Sequence, residues 1–461
     1  MEHELLFDAE LLGRYDVSGP RYTSYPTAPQ FKESFTEQDY KNCIAESNGD
    51  FLARPLSIYI HIPFCSTVCF YCACNKVVTK DRTRAIEYLQ HLHKEIAMQA
   101  ELFDGDRVVK QLHLGGGTPT FLTQPQLSVL MQRIQSHFPV VDDSKGEFSI
   151  EIDPREANPD TIVFLREIGF NRLSLGVQDL DPVVQKAVNR MQSEQQTFDI
   201  MNAARESGFR SISLDLMYGL PHQTVESFTH TLDRVIDASP DRLSLFNYAH
   251  MPNLFKPQRR INEEDLPDAQ TKLDILQQSI SQLQQAGYVY IGMDHFARPD
   301  DELAIAQREG KLQRNFQGYS THGDCDLLAM GVTAIGQTRN SFSQNHRELD
   351  NYYAALDADH LPILRGMYLT EDDRIRRCVI QELICHFGLD FDKVEKRYGL
   401  KFHEYFAHEL KGLVAMQDDG LLKVNDRSIE VLPAGRLLIR NICMVFDAYL
   451  RDSQQKFSKV I

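Results

Sequence analysis

Four cysteines fall within ten residues, Cys65, Cys69, Cys72 and Cys74, with the spacing C-x3-C-x2-C-x-C. The other five, Cys43, Cys325, Cys378, Cys385 and Cys443, are scattered through apolar or mixed surroundings where a small buried thiol is the expected role. The acidic start Met1–Glu10 lacks the basic flank of a secretory signal, so thiols this closely spaced point to metal or redox chemistry rather than disulfides. Structural zinc sites usually draw two cysteine pairs from separated knuckles, and no second knuckle follows. Three thiolates on one short loop suit three corners of a four-iron cubane, which leaves the fourth iron without a protein ligand. An open iron is a binding site.

Such a loop needs a strand behind it, and residues 57–61, Ser-Ile-Tyr-Ile-His, read as one. Ile86, Leu89, Leu92, Ile96 and Ala100 then share one helical face, and further strands are expected at 108–114, 147–152, 171–175, 211–216, 242–246 and 289–293. Gly169-Phe170, Gly208-Phe209 and Gly287-Tyr288 each place a helix-stopping glycine before an aromatic strand entry, the mark of a repeating βα unit. The expected fold class is therefore α/β, a partial (β/α)6-type barrel, with an open doubly wound sheet as the alternative. Parallel strands share one C-terminal end, where such barrels keep their chemistry. The cysteine loop, Gly115–Gly117 with Thr118, Glu151, Gln178, Asp215 and 247–250 all fall at or near that end, with Arg190 on the stretch that follows. Glu151 could accept hydrogen bonds from ribose hydroxyls, and Arg190 could meet a carboxylate.

The 461 residues carry 49 Lys+Arg against 65 Asp+Glu, a formal charge of −16, spread along the chain. This excludes a disulfide-stapled miniprotein and a disordered chain, and it disfavours nucleic-acid and anionic-lipid partners. No apolar run approaches the roughly 18 residues of a membrane span, so a cytoplasmic protein is expected. Residues 1–56 form an N-terminal arm whose Gly19–Pro26 segment cannot be helical, 57–365 the barrel and its extension, and 366–461 a smaller, mainly helical domain. In the last, Thr370 caps a helix, 421–424 and 428–432 form a hairpin, and a helix starts near Ala434. That pattern is winged-helix-like, with a lid or packing role favoured over DNA binding.

The C-x3-C-x2-C spacing with Tyr71 before its third cysteine resembles the signature of the radical S-adenosylmethionine (SAM) superfamily. Within it, Tyr59–Cys65, Cys72–Lys76, His113–Thr120, Glu151–Arg155, Leu175–Asp179 and Asp215–Pro221 resemble the oxygen-independent coproporphyrinogen III oxidase family, as do Gly19–Pro26 and Gln317–His322. The resemblance implies one [4Fe-4S] cluster on Cys65, Cys69 and Cys72, and two SAM molecules. Tyr59, Gly116, Glu151 and Arg190 would hold mainly the SAM at the cluster. Gly117, Thr118, Gln178, Asp215, Ala249 and Ile335 would surround the second, and Tyr71 stands where the family places an aromatic against the cofactor. Arg21 in the arm and Gln317 would meet the substrate, and Cys74 is either a thiol near it or a small loop residue. The implied reaction turns the ring A and B propionates of coproporphyrinogen III into vinyl groups, using 5′-deoxyadenosyl radicals. It also implies a low-potential one-electron donor such as a flavodoxin or ferredoxin, and a monomer. A haem-transferring relative and a zinc-dependent winged-helix regulator are the alternatives.

Overall fold

The structure, a computed structural model, describes residues 5–49 and 53–450. Residues 1–4, the head of the acidic start, therefore lie outside the described residues, as do 50–52 of the arm and 451–461 of the C-terminal segment. Two compact units emerge, one of residues 31–268 and 324–368, the other of 1–30, 269–323 and 369–461.

The first unit opens with helix α1, Glu37–Asn48, whose Thr36 and Asp39 form a reciprocal capping box. Strand β1, Leu56–Ile62, precedes the cysteine loop. Then α2 (Arg84–Ala100), β2 (Val109–Gly116), α3 (Gln124–His137), β3 (Glu147–Ile152), α4 (Pro159–Glu167), β4 (Arg172–Gln178), α5 (Glu194–Glu206), β5 (Ser211–Tyr218), α6 (Val225–Asp237) and β6 (Arg242–Asn247) alternate. The helices start where their caps dictate: Thr123 with Gln126 on α3, Asn158 with Thr161 and Pro159 on α4, Thr224 with Ser227 on α6. After α4 and α5 the chain turns through Gly169 at φ 108° and Gly208 at φ 78°, a region costly for any side chain, and buries Phe170 and Phe209 on entering the next strand.

Strands β1 to β6 are all parallel and lie in chain order, with Ile60 beside Leu114, Leu114 beside Ile150, and Leu214 beside Leu243. A doubly wound sheet reverses its strand order at a switch point; β1 to β6 run without one, so right-handed crossovers put the helices between them on the same face. That is the winding of a barrel, and the six strands form the expected partial one.

Two features of the sheet depart from the sequence reading. Strand β1 is not at the sheet's edge. Its other neighbour is β7, Asp326–Met330, parallel to it, followed by β8 (Ile335–Gln337), β9 (Ser341–Asn345) and β10 (Ile363–Tyr368) in antiparallel succession. These strands escaped notice because Asp-Leu-Leu-Ala-Met has no β-branched residue, and Ser-Phe-Ser-Gln-Asn is polar although wholly buried. The strand expected at 289–293 exists as Val289–Gly292, but it pairs antiparallel with His295–Ala297 and is not another turn of the βα series.

A buried carboxylate secures the turn after β7. Glu95 of α2 accepts from the Gly331 amide (2.8 Å), the Tyr352 hydroxyl (2.6 Å) and Asn345 Nδ2 (2.7 Å). Gly331 has φ 99°, and a Cβ there would stand 2.7 Å from the His61 carbonyl, so glycine lets this turn lie on the end of β1. Burial pushes Glu95 up to about 7 from the ordinary 4.5 of a glutamate, although all three hydrogen bonds oppose the rise. The folded protein then binds this proton more tightly than the unfolded chain. Its contribution is full below about pH 4.5 and is lost as pH rises through 7, a decline of about 3 kcal/mol. Denaturant titrations of the parent and Glu95→Gln from pH 5 to 8 should show the parent falling more steeply by that amount; parallel profiles would refute the assignment.

In the second unit, helix Glu371–His386 begins at the expected Thr370 cap. The hairpin Leu422–Val424 with Ser428–Val431 gains a third strand, Gly388–Asp390, and the last helix is Ile439–Val445, five residues after the expected start. Helices with a small antiparallel wing match the expected C-terminal architecture. Arg440 donates to the carbonyls of Gly19 and Pro20, and the Tyr22 hydroxyl donates to Asp447 (3.0 Å), so Gly19–Pro26 is non-helical as expected, bends over residues 23–26 and is bound to this helix and the residues just after it. Residues 313–320 join the same unit, since Gln381 both donates to the Arg314 carbonyl (2.7 Å) and accepts from its amide (3.1 Å). The two units thus interleave the three consecutive segments 1–56, 57–365 and 366–461: the arm divides near residue 30, and residues 269–323 group with the C-terminal segment.

Candidate active site

The cysteine loop leaves β1 and is held by its own backbone and by β2. Val77 N–H donates to the Pro63 carbonyl (2.7 Å), Thr79 N–H to that of Cys65 (2.9 Å) and Cys72 N–H to that of Cys69 (3.2 Å). From β2, Gly117 N–H donates to the Ile62 carbonyl and Thr118 N–H to that of Phe64, both at 2.8 Å. A Cβ on Gly117 would stand 2.7 Å from the Phe64 oxygen, and one on Gly116 (φ 117°) 2.7 Å from His61 Cε1. The triple glycine thus lets two backbones meet beneath the loop, besides any ligand it faces. Thr118 Oγ1 lies 3.6 Å from Cys65 Sγ.

Cys69 is buried, Cys65 and Cys72 are half-buried and Cys74 is exposed. Two guanidinium groups converge on Cys69 Sγ, Arg155 Nη2 at 3.2 Å and Arg190 Nη1 at 3.4 Å. Asp153 holds both: its Oδ2 accepts from Arg155 at 2.6 Å and from Arg190 at 3.0 Å. Arg190 also donates to the Gly176 carbonyl. The loop therefore has fixed positive charge where an anionic thiolate cluster would carry negative charge. Burial pushes the Cys65 thiol up to about 11. A hydrogen bond from Cys74, with Lys76 nearby, lowers Cys72 to about 6, and the same contact raises Cys74. Among the described residues no three His, Cys, Asp or Glu side chains gather around a single ion. Sulfurs that bind separate corners of a cubane need not gather so.

Glu151, near the end of β3, packs its carboxylate against Gly116 and His113 while 46% of the side chain stays exposed. Its Oε2 accepts the Gly116 amide (3.1 Å), and its Oε1 faces His113 Nε2 (3.3 Å). Burial opposes ionisation, but the His113 contact and the Gly116 amide outweigh it and hold the carboxyl below its usual range. His113 Nδ1 is in turn 2.6 Å from Ser149 Oγ, and the His113 ring stacks on Tyr59 at 5.8 Å. The Tyr59 hydroxyl reaches His61 Nδ1 (3.1 Å), whose Nε2 faces the Asn75 carbonyl (3.1 Å). Each carboxylate oxygen thus has one fixed donor and a lone pair left for a ligand.

Gln178 ends β4 in the left-handed region at φ 70°, where the register with β5 shifts. Backbone strain of this kind collects at functional sites. Asp215 in β5 is pushed up to about 6, chiefly by burial, and Ser174 Oγ donates to it at 3.2 Å. Ala249 follows β6 and Ile335 opens β8, after the C-terminal ends of parallel strands. Tyr71 packs against a cluster containing Val184, Val188, Leu220 and Tyr248. Buried Gln178 Oε1, Arg190 Nε and Asn247 Oδ1 have no hydrogen-bond partner, a costly state unless a ligand supplies one. A loop of three thiols, cations beside it and unsatisfied polar atoms around it fit a cluster with a polar cofactor.

Arg21 and Gln317 belong to the other unit. There Arg21 is ion-paired with Asp294, and the backbone N–H of Gln317 donates to Asn315 Oδ1 at 2.8 Å. The sequence reading missed His113, Asp153 and Arg155, although all three lie in the segments that carried the family resemblance.

The radical SAM superfamily model matches residues 59–235, and a model described as the HemN C-terminal domain matches 369–438. Oxygen-independent coproporphyrinogen III oxidase from Pseudomonas aeruginosa is 54% identical over 456 residues, covering 99% of both chains. The enzyme of that name from Escherichia coli K12 is 53% identical over 457 residues, covering 99% of this chain and 98% of that one. The chain belongs to the oxygen-independent coproporphyrinogen III oxidase family. A solved structure of coproporphyrinogen III oxidase from Escherichia coli, described as a radical SAM enzyme, superposes with a TM-score of 0.92 at 51% identity, covering 97% of this chain and all of that one. Membership of this oxidase family sets aside the haem-transferring relative and the zinc-dependent regulator.

Proposed function

We infer that this chain catalyses the oxygen-independent oxidative decarboxylation of coproporphyrinogen III to protoporphyrinogen IX in haem biosynthesis, as a radical SAM enzyme. The observation that carries the reading is the C-x3-C-x2-C loop beside two guanidinium groups, in a chain matched from end to end by oxidases of this name. The β-carbon of a propionate has no acidic proton, so a general base is unsuited and the hydrogen must leave to a radical. A [4Fe-4S] cluster with SAM supplies that radical by reductive cleavage of the sulfonium.

Cys65, Cys69 and Cys72 hold the cluster, and Arg155 and Arg190 balance its charge. Tyr59, Gly116, Glu151 and Arg190 hold the SAM at the cluster; Glu151 presents one free lone pair per oxygen to a vicinal diol. Gly117, Thr118, Gln178, Asp215, Ala249 and Ile335 hold a second SAM, and Tyr71 sets an aromatic ring against the cofactor. Gln317 and Arg21 serve the substrate side, where Arg21 would have to exchange Asp294 for a propionate. The electron donor is a flavodoxin or ferredoxin, and the chain acts as a cytoplasmic monomer. Among the described residues no helix is long and apolar enough to cross a membrane. Anaerobic incubation with dithionite, SAM and coproporphyrinogen III tests the reading. Vinyl-bearing product and 5′-deoxyadenosine should appear together, whereas SAM cleavage that leaves the porphyrinogen untouched would sink it.

A further inference from the structure

We propose that the exposed turn Lys256–Arg260 is the docking surface for the electron donor, a small acidic protein carrying a low-potential one-electron centre. The proposal rests on the radical SAM reading and adds where the electron enters. The turn is fastened to the cysteine loop by Gln258, only 2% exposed, whose Nε2 donates to the Tyr71 carbonyl at 2.9 Å and whose Oε1 accepts the Met251 amide at 2.6 Å. Tyr71 lies between Cys69 and Cys72. The guanidinium of Arg260 sits 5.2 Å from the ring centre of Phe70, the residue directly after Cys69. The turn is therefore built onto the stretch of chain joining two cluster ligands.

Its charge is not neutralised by the protein's own acids. Lys256, Arg259 and Arg260 are all exposed, and among the described residues none is paired with a carboxylate. Arg259 donates to the Pro252 carbonyl (3.0 Å), which aims the loop without neutralising it. The acidic turn that follows, Glu263–Asp265, bounds the cations, and its Asp265 already accepts from Asn262 (3.0 Å). On a chain of net charge −16, an acidic protein is repelled broadly and can be drawn only to a local group of unpaired cations. In the same loop Leu254 is 63% exposed, an apolar contact among charges of the kind small redox encounters use. Three exposed cations suit a protein surface better than a small tetracarboxylate, which an enclosing pocket would bury. One electron crosses, the donor's centre is oxidised by one electron, the cluster is reduced by one, and no atom is transferred.

The test uses the cluster-loaded full chain with a bacterial flavodoxin as probe, comparing the parent with the triple variant Lys256→Glu, Arg259→Glu, Arg260→Glu. Direct titration at low salt should show flavodoxin binding weakened at least about tenfold, with the parent's salt dependence largely lost. Turnover driven by flavodoxin should fall in parallel, while turnover driven by dithionite and KM for coproporphyrinogen III stay unchanged. Flavodoxin binding equal to the parent's would overturn the proposal. So would a KM for coproporphyrinogen III raised with both reductants, which would make the turn a substrate contact. If the parent itself shows no dithionite-driven turnover, the enzymatic reading falls, and the binding titration still decides the surface.

Discussion

Cys69→Ser is expected to abolish cluster binding: iron and sulfide, about four of each per loaded chain, fall to background, and turnover of coproporphyrinogen III becomes undetectable. Cys69 is the buried member of the ligand loop and the one on which Arg155 and Arg190 converge, at 3.2 and 3.4 Å. A serine hydroxyl is a harder, far less acidic ligand, so the loop would offer only two thiolates to the cubane. Buried Arg190 and half-buried Arg155 would then share Asp153 alone, which leaves uncompensated charge and makes reconstitution unfavourable as well as weak. Cys74→Ser is the control. The exposed Cys74 stands outside the C-x3-C-x2-C spacing, so its variant should keep full iron content, and loss of iron there would overturn the ligand assignment. Iron and sulfide analysis after anaerobic reconstitution, with the visible absorbance of the brown protein, reads both variants.

Glu151→Gln is expected to weaken SAM binding about tenfold, equivalent to about 1.4 kcal/mol, while the rate at saturating SAM changes little. The carboxylate is met by two donors, the Gly116 amide at 3.1 Å and His113 Nε2 at 3.3 Å. Glutamine replaces one accepting oxygen with an NH2 that opposes a donor, and it removes the charge that strengthens a hydrogen bond to a ligand hydroxyl. The expected loss sits at the low end for a charge-assisted bond because the side chain is 46% exposed before a ligand covers it. Equilibrium binding of SAM to the loaded variant, alongside KM and kcat, checks the result. An unchanged affinity would remove Glu151 from the cofactor site.

What the sequence disclosed depended on how local each signal was. The cysteine spacing, the glycine-aromatic junctions and the Thr370 cap are each encoded within a few residues, and strands β1 to β6 appeared within three residues of where their patterns put them. Strand β7 was hidden because its Leu, Ala and Met residues suit a helix equally well, and only its pairing with β1 makes it a strand. The strand at 289–293 carried the right local signal, but whether a strand extends a parallel series is decided by its partner. In the site, Cys69, Asp153, Arg155 and Arg190 meet across 121 residues of chain, so their ion-pair geometry had no local signature. The glycine triplet was legible as a close approach, yet the closest partner proved to be the loop's own backbone.

The place of β1 in the sheet also bears on how the protein is made. The strand that launches the cysteine loop pairs with β2 early, but its other neighbour, β7, leaves the ribosome more than half a chain later. Throughout that interval the nascent chain carries an unpaired strand edge beside reactive thiols, a combination prone to aggregation and oxidation. The turn at Gly331 that rests on the end of β1 likewise arrives only with the late segment. The cysteine loop therefore gains its full strand backing only once the late segment has been made.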